Sequence, residues 1–222
     1  LAVGAVISSA LHIAYSLILQ AGYERAELGV VYPIARGSGP VLTILFATLL
    51  MGERMSPGAL LGAFIVIAGI FVVTGNPFRS GSRPLQGMLW GAATGTAIAG
   101  YTLWDGYSVI SLHLDPVRYY ASTLLLQSLI LTPGAMRRRN RIPTAVRVDI
   151  IPILIIAVCS PLAYILVLTA MQSMPLALVA PLRETSIIVG SLLSYWLFRE
   201  NHLARRIAGA VVVLTGIAII SL

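Results

Sequence analysis

Eight apolar stretches, each close to the length needed to cross a bilayer, divide almost the whole chain between them: residues 1–21, 28–51, 57–75, 85–112, 117–135, 150–172, 176–198 and 203–222. A helix spanning the hydrocarbon core needs about 20 mostly apolar residues, so this partition leaves no sequence for a soluble domain. Only 10% of the 222 residues are charged while 58% are hydrophobic, too few charges to coat a water-facing surface. The expected class is an all-α integral membrane protein with eight transmembrane helices.

The formal charge of +7 raises nucleic acid as a partner. Its carriers, all arginines, sit mostly in interhelical loops without any nucleic-acid motif, and that partner is not expected. Alternate loops divide them unevenly. Arg25, Arg79, Arg83, Arg137, Arg138, Arg139, Arg141, Arg147, Arg199, Arg205 and Arg206 fall on one side, against Arg54 and Arg118 on the other. The positive-inside rule then makes the Arg-rich loops, residues 136–149 and 199–206, cytoplasmic, in what would be a bacterial inner membrane. The Arg137 to Arg141 cluster reads as a topology and anionic-lipid signal. Cys159, alone in an apolar run, is expected to be a packing residue.

An internal repeat carries the most information. Ala14-Tyr15-x-Leu17-x-Leu19 matches Ala163-Tyr164-x-Leu166-x-Leu168. Pro33 then aligns with Pro181, Ser38 with Ser186, Glu53 with Glu200, Gly62 with Gly209 and Gly69 with Gly216. The first three helices therefore correspond to the last three. Five spans separate equivalents, an odd number, so equivalents run in opposite directions. Such inverted repeats are a common architecture of secondary transporters, which rock about a central site. The arithmetic also predicts that the chain begins inside a longer protein, after two further helices.

Charge inside the spans marks where that site would be. Helix two carries Tyr32-Pro33-x-x-Arg36-Gly37-Ser38-Gly39-Pro40, with Arg36 about 14 Å along it at 1.5 Å per residue; helix seven repeats the device with Pro181-x-Arg183-Glu184-x-Ser186. Proline frees a carbonyl and glycine permits close approach, so Pro33, Gly37, Gly39, Pro40 and Pro181 are expected hinge positions in kinked, cavity-lining helices. An intramembrane charge costs about 2.5 to 3.5 kcal/mol on insertion scales and faces the bundle interior. The repeat sets Arg36 opposite Glu184, which suggests a paired gate or a site for a zwitterion; a structural salt bridge is the alternative. His12, Tyr15 and Ser16 share one face of helix one, and Tyr164 is the repeat equivalent of Tyr15. His12 reads as a proton relay or as a packed histidine. Asp105, beside Trp104 late in helix four, reads as a coupling carboxylate or as an interfacial residue of an aromatic belt. Gly87-x-x-x-Gly91-x-x-x-Gly95 and Gly58-x-x-x-Gly62 have the spacing of close helix packing. The chain has no cluster with metal-ligand spacing, no phosphate loop and no nucleophile elbow, and Ser38 between its glycines lacks a positioned base, so neither an enzyme nor a cofactor is expected.

The run from Tyr23 through Glu24-Arg25-Ala26-Glu27-Leu28-Gly29-Val30-Val31-Tyr32-Pro33-Ile34-Ala35-Arg36-Gly37-Ser38-Gly39-Pro40, with Gly52-Glu53-Arg54-Met55-Ser56-Pro57, Gly100-Tyr101-Thr102, Pro181-Leu182-Arg183-Glu184 and Arg199-Glu200, resembles the EamA-type transporters of the drug/metabolite transporter superfamily. The resemblance implies a ten-helix bundle of two inverted five-helix repeats. Residues 1–75 would be the last three helices of the first repeat, 76–84 a linker and 85–222 the complete second repeat. It implies a secondary transporter of a small metabolite, an amino acid or related compound, working by alternating access. The substrate-binding residues are then expected to be Tyr15, Tyr32, Arg36, Ser38, Tyr164, Arg183 and Glu184, with His12 and Asp105 as coupling candidates. A lipid-headgroup or carrier-lipid flippase, or a non-transporting membrane subunit, is the alternative on the same fold. The expected partners are the small-molecule substrate and the lipid bilayer, with a homodimer left open.

Overall fold

A computed structural model of the chain describes residues 1–26, 28–52, 56–74, 84–137, 139, 142–183, 208–209, 211–213, 215–216 and 219. Seven helices are bounded: α1 (Ala2–Arg25), α2 (Leu28–Leu50), α3 (Pro57–Thr74), α4 (Pro84–Ile110), α5 (Pro116–Arg137), α6 (Ile142–Met171) and α7 (Leu176–Arg183). The described residues of the eighth apolar stretch are helical too.

The boundaries have local causes. Ser56 Oγ accepts a bond from Ala59 N at 3.1 Å and Asp115 Oδ1 one from Arg118 N at 2.9 Å. Each is an N-cap followed by proline at the first helical position, where the missing N–H costs nothing. α2 ends at Leu50, and Gly52 just beyond it has a φ of +68°, the left-handed conformation that closes a helix most cheaply in glycine.

α2 runs as one helix through Pro33 and Pro40. An interruption lies in α6, at Asp149 with φ −117° and ψ 25°. Pro152 offers no N–H to this turn and crowds the Val148 carbonyl four residues back. α6 accordingly begins at residue 142, eight residues before the expected start of its span. By length and apolarity two helices among the described residues suffice to cross a bilayer, Ala2–Arg25 and Val146–Met171, with shorter apolar helices over Ile34–Leu50 and Pro57–Gly69.

The chain forms two compact units: residues 1–13 with 104–173, and residues 14–103 with 174–222. In the first, α5 packs on α6. Ser9 Oγ of α1 donates to the Thr123 carbonyl of α5 at 3.0 Å, and the Trp104 indole of α4 donates to the Gly4 carbonyl at 3.0 Å. The distribution is inside-out for a water-soluble protein. Ser8, Ser9, Asp105, Ser108 and Thr123 are fully buried, while Leu125, Leu129, Ile151, Ile156 and Leu162 are exposed. Helices in lipid gain nothing by hiding leucine and associate through small residues and hydrogen bonds. Cys159 belongs to that exposed apolar side of α6, which corrects the packing role expected of it.

In the second unit α2 packs on α3 and α7, and α3 on α7. Glycine sets the closest approaches. A Cβ on Gly91 would meet Ile34 Cβ at 2.6 Å and the Val31 carbonyl at 2.9 Å, and one on Gly95 would collide with Ser38 Oγ and lie 3.0 Å from Gly39 N, so the glycine ladder of α4 seats α2. The pair in α3 divides: Gly62 is in contact, whereas Gly58 has only Ser56 Oγ nearby at 3.8 Å. Where α3 meets the last helix, a Cβ on Gly69 would lie 2.6 Å from Val213 Cγ2 and 3.1 Å from the Gly209 carbonyl. One on Gly216 would lie 2.7 Å from both the Gly62 carbonyl and Val66 N. Rising numbers on α3 thus meet falling numbers on its partner, and the two helices cross antiparallel.

Candidate functional site

Each unit gathers its own polar side chains. In the first, Asp105 of α4 is fully buried and is reached from three other helices. The Tyr119 hydroxyl of α5 donates to Oδ1 at 2.7 Å and the Tyr164 hydroxyl of α6 to Oδ2 at 2.6 Å, while Nε2 of His12 on α1 stands 3.7 Å from Oδ2. Each phenol supplies a charge-assisted bond that makes burial of a carboxyl tolerable. The rings then pack on one another: His12 lies edge-on to Tyr164 at 5.4 Å between centroids, and Tyr120 stacks tilted on Tyr164 at 4.7 Å. Nδ1 of His12 is 3.0 Å from the Ser8 carbonyl. Asp105 is therefore enclosed where side chains of four helices meet. Trp104 beside it donates to the Gly4 carbonyl, and Asp105 is the centre of a buried polar cluster.

In the second unit two guanidinium groups stand over tyrosine rings. Arg36 lies 5.4 Å from the ring centroid of Tyr32, one helical turn before it on α2, and Arg183 of α7 lies 5.9 Å from that of Tyr101 on α4. Arg183 Nη1 also reaches 3.5 Å from Thr102 Oγ1. Tyr15 of α1 packs edge-on against Tyr101 at 5.3 Å, and its hydroxyl is within electrostatic reach of both Arg36 and Arg183. Cation–π contacts orient each guanidinium over a ring face. Two such groups on separate helices of one unit, each beside an aromatic ring, are of the chemistry that recognises a carboxylate or phosphate attached to a planar or apolar body.

The sequence-derived candidates thus fall into two groups. Tyr15, Tyr32, Arg36 and Arg183 belong to one unit; His12, Asp105 and Tyr164 to the other. Ser38 sits where α2 meets α4, its hydroxyl donating to the Ile34 carbonyl at 2.7 Å, and Gly37 and Gly39 face Phe71 and Ile98 across helix contacts at 2.7 and 3.0 Å from where a Cβ would stand. Pro40 is buried within α2, and Pro33 and Pro181 are helical in backbone. Glu184 lies outside the described residues, so its expected pairing with Arg36 is not described. Tyr119 and Tyr120 are absent from the sequence-derived candidates, and Thr102 appears there only within the Gly100-Tyr101-Thr102 motif. Their signal was a tyrosine pair and a threonine inside otherwise apolar spans, where hydroxyls need partners.

A family model described as the EamA-like transporter family matches residues 85–222, more than half of the chain. A multidrug transporter of Pseudomonas aeruginosa is 48% identical over 46 residues, 21% of this chain and 42% of that relative. The chain thus aligns with less than half of that relative's length. A solved structure described only as a protein superposes with a TM-score of 0.72 at 17% sequence identity, covering 97% of this chain and 75% of the other.

Proposed function

Because the chain belongs to the EamA-like transporter family, and is therefore of an integral membrane protein, we propose that it is the greater part of a secondary transporter that moves a small carboxylate-bearing metabolite, an amino acid or related compound, by alternating access. The observation that carries this reading is the pair Arg36 and Arg183, each held over a tyrosine ring and both acting electrostatically on Tyr15. Each guanidinium offers a planar fork that binds a carboxylate bidentately, and Tyr15, Tyr32 and Tyr101 offer ring faces and edges for the rest of the molecule.

The crossing of α3 with the last helix supports an inverted-repeat architecture. Gly62 and Gly209 are repeat equivalents, as are Val66 and Val213, and Gly69 and Gly216, each offset by 147 positions. Contacts run Gly69 to Gly209 and Gly216 to Gly62, the reciprocal pattern of a two-fold interface, and the two helices are antiparallel. Five helices per repeat in the full-length protein, with 85–222 as the second repeat, a substrate site at the interface of the repeats and Arg-rich loops in the cytoplasm of an inner membrane complete the reading.

Cells expressing the full-length protein are compared with cells expressing Arg36→Ala by untargeted metabolite profiling inside and outside. The expected result is a small set of carboxylate- or phosphate-bearing compounds whose distribution changes with the wild type and not with the variant. No compound changing with expression would refute the carrier reading, and a change confined to lipid species would replace it with a flippase.

A further inference from the structure

We propose that the turn joining α5 to α6 is a binding site for an anionic phospholipid, its phosphate among Arg137, Arg139 and Arg147 and its acyl chains on the apolar faces of the two helices. The placement follows from the length of α6. That helix has 30 residues, about 45 Å at 1.5 Å per residue, against a hydrocarbon core about 30 Å thick. Its last 22 residues, Ile150 to Met171, carry no charge and span about 33 Å, which fills the core. The interruption at Asp149 falls where that uncharged run begins. The helical piece ahead of it, residues 142–148, is surplus to the crossing and lies at the level of the lipid headgroups. Arg137 ends α5 on the same side of the membrane, because only four residues separate the two helices.

Charge and apolar surface adjoin at this corner. Arg137, Arg139 and Arg147 are all exposed, and Arg138 and Arg141 belong to the same stretch of sequence. Asp149 is the one acidic residue of α5, α6 and their turn, so it offsets a single one of the five positive charges. Directly beside them Leu129 and Met136 of α5 and Val148, Ile151 and Ile155 of α6 are exposed. A ligand that satisfies both surfaces carries a net negative head on an apolar tail. Soluble anions lack the tail, and a zwitterionic phospholipid carries an ammonium that offsets its phosphate. Every cation here is arginine, whose planar fork takes two phosphate oxygens at once where lysine acts as a point charge. Basic clusters at the end of a membrane helix attract anionic lipid for the same electrostatic reason. Binding of the lipid does not depend on what the protein carries.

The test is native mass spectrometry of the full-length protein, released from detergent and titrated with phosphatidylglycerol or with phosphatidylcholine of the same acyl chains. The first phosphatidylglycerol should bind at least about tenfold more tightly than phosphatidylcholine, and the preference should shrink as ammonium acetate is raised. Arg139→Gln/Arg147→Gln keeps Arg137, Arg138 and Arg141 as the topological signal and should bring the preference down to about threefold or less. Arg205→Gln/Arg206→Gln, in the other arginine-rich loop, should leave it unchanged. A wild type that binds the two lipids alike, a measurement needing no variant to fold, overturns the proposal. So does an equal loss in the Arg205/Arg206 variant. Displacement of the bound lipid by glycerophosphoglycerol, the same headgroup without chains, at matching concentration also overturns it, by making the turn a site for soluble anions.

Discussion

Replacing Gly216 by alanine places a methyl carbon 2.7 Å from the Gly62 carbonyl oxygen, 2.7 Å from Val66 N and 2.8 Å from Val66 Cγ2, where ordinary contact begins at 3.4 Å. Two of the three obstacles are backbone of α3 and cannot rotate away, so the helices must separate by about 0.7 Å, the shortfall between those distances. A gap of that size forfeits about a quarter to a half of the dispersion energy of the atoms it parts, and overfilling a packed contact costs about 1 to 3 kcal/mol. Alanine returns up to about 1 kcal/mol by its helix propensity. The expected net loss is about 1 to 2 kcal/mol. The repeat relation sharpens this, because Gly69→Ala meets Val213 N at 2.8 Å and the Gly209 carbonyl at 3.1 Å, the same obstacle seen from the other helix, and should cost a similar amount. Gly58→Ala is the internal control: its Cβ meets only Ser56 Oγ, at an ordinary contact distance of 3.8 Å, and the change should be neutral or stabilising. The assay is reversible unfolding of the full-length protein by sodium dodecyl sulfate in mixed micelles. If Gly69→Ala and Gly216→Ala unfold at the same detergent fraction as Gly58→Ala, the antiparallel glycine crossing is not the contact that joins these helices.

In the same assay Tyr164→Phe, which removes the donor 2.6 Å from Asp105 Oδ2, should destabilise by about 1.5 to 3 kcal/mol, the range for hydrogen bonds to charged groups, whereas Tyr107→Phe on an exposed position should not. Asp115→Ala deletes the cap of α5 and should cost about 1 kcal/mol. His113 is held at φ 51°, which costs a side-chain-bearing residue about 1 to 2 kcal/mol, so His113→Gly should raise stability by a measurable part of that. Cys159 is exposed on the apolar side of α6; in membranes it should resist a water-soluble maleimide and react once the protein is dissolved in dodecyl sulfate. In a Cys159→Ala background, Arg139→Cys should be labelled by the same reagent only in inverted vesicles, and labelling of intact cells would reverse the orientation read from the arginine count.

Helix positions and class were legible because they are written in local signals: Ser56-Pro57 and Asp115-Pro116 state where α3 and α5 begin, and Gly52 states where α2 ends. The prolines of α2 lie within one continuous helix: Pro33 stands near its start, where few carbonyls precede it to be disrupted, and Gly37 and Gly39 face Phe71 and Ile98. What could not be read was the partner list of Asp105. Its position late in a long span suggested an interface, yet burial is decided by the helices opposite, and those donors come from Tyr119 and Tyr164, 14 and 59 positions away. A carboxyl inside an apolar span must find donors somewhere, since lipid supplies none. The tyrosines that sit without evident purpose in other spans of this chain are the groups chemically able to supply them, so an inventory of intramembrane hydroxyls, matched against intramembrane carboxyls, recovers this centre where periodicity and spacing do not.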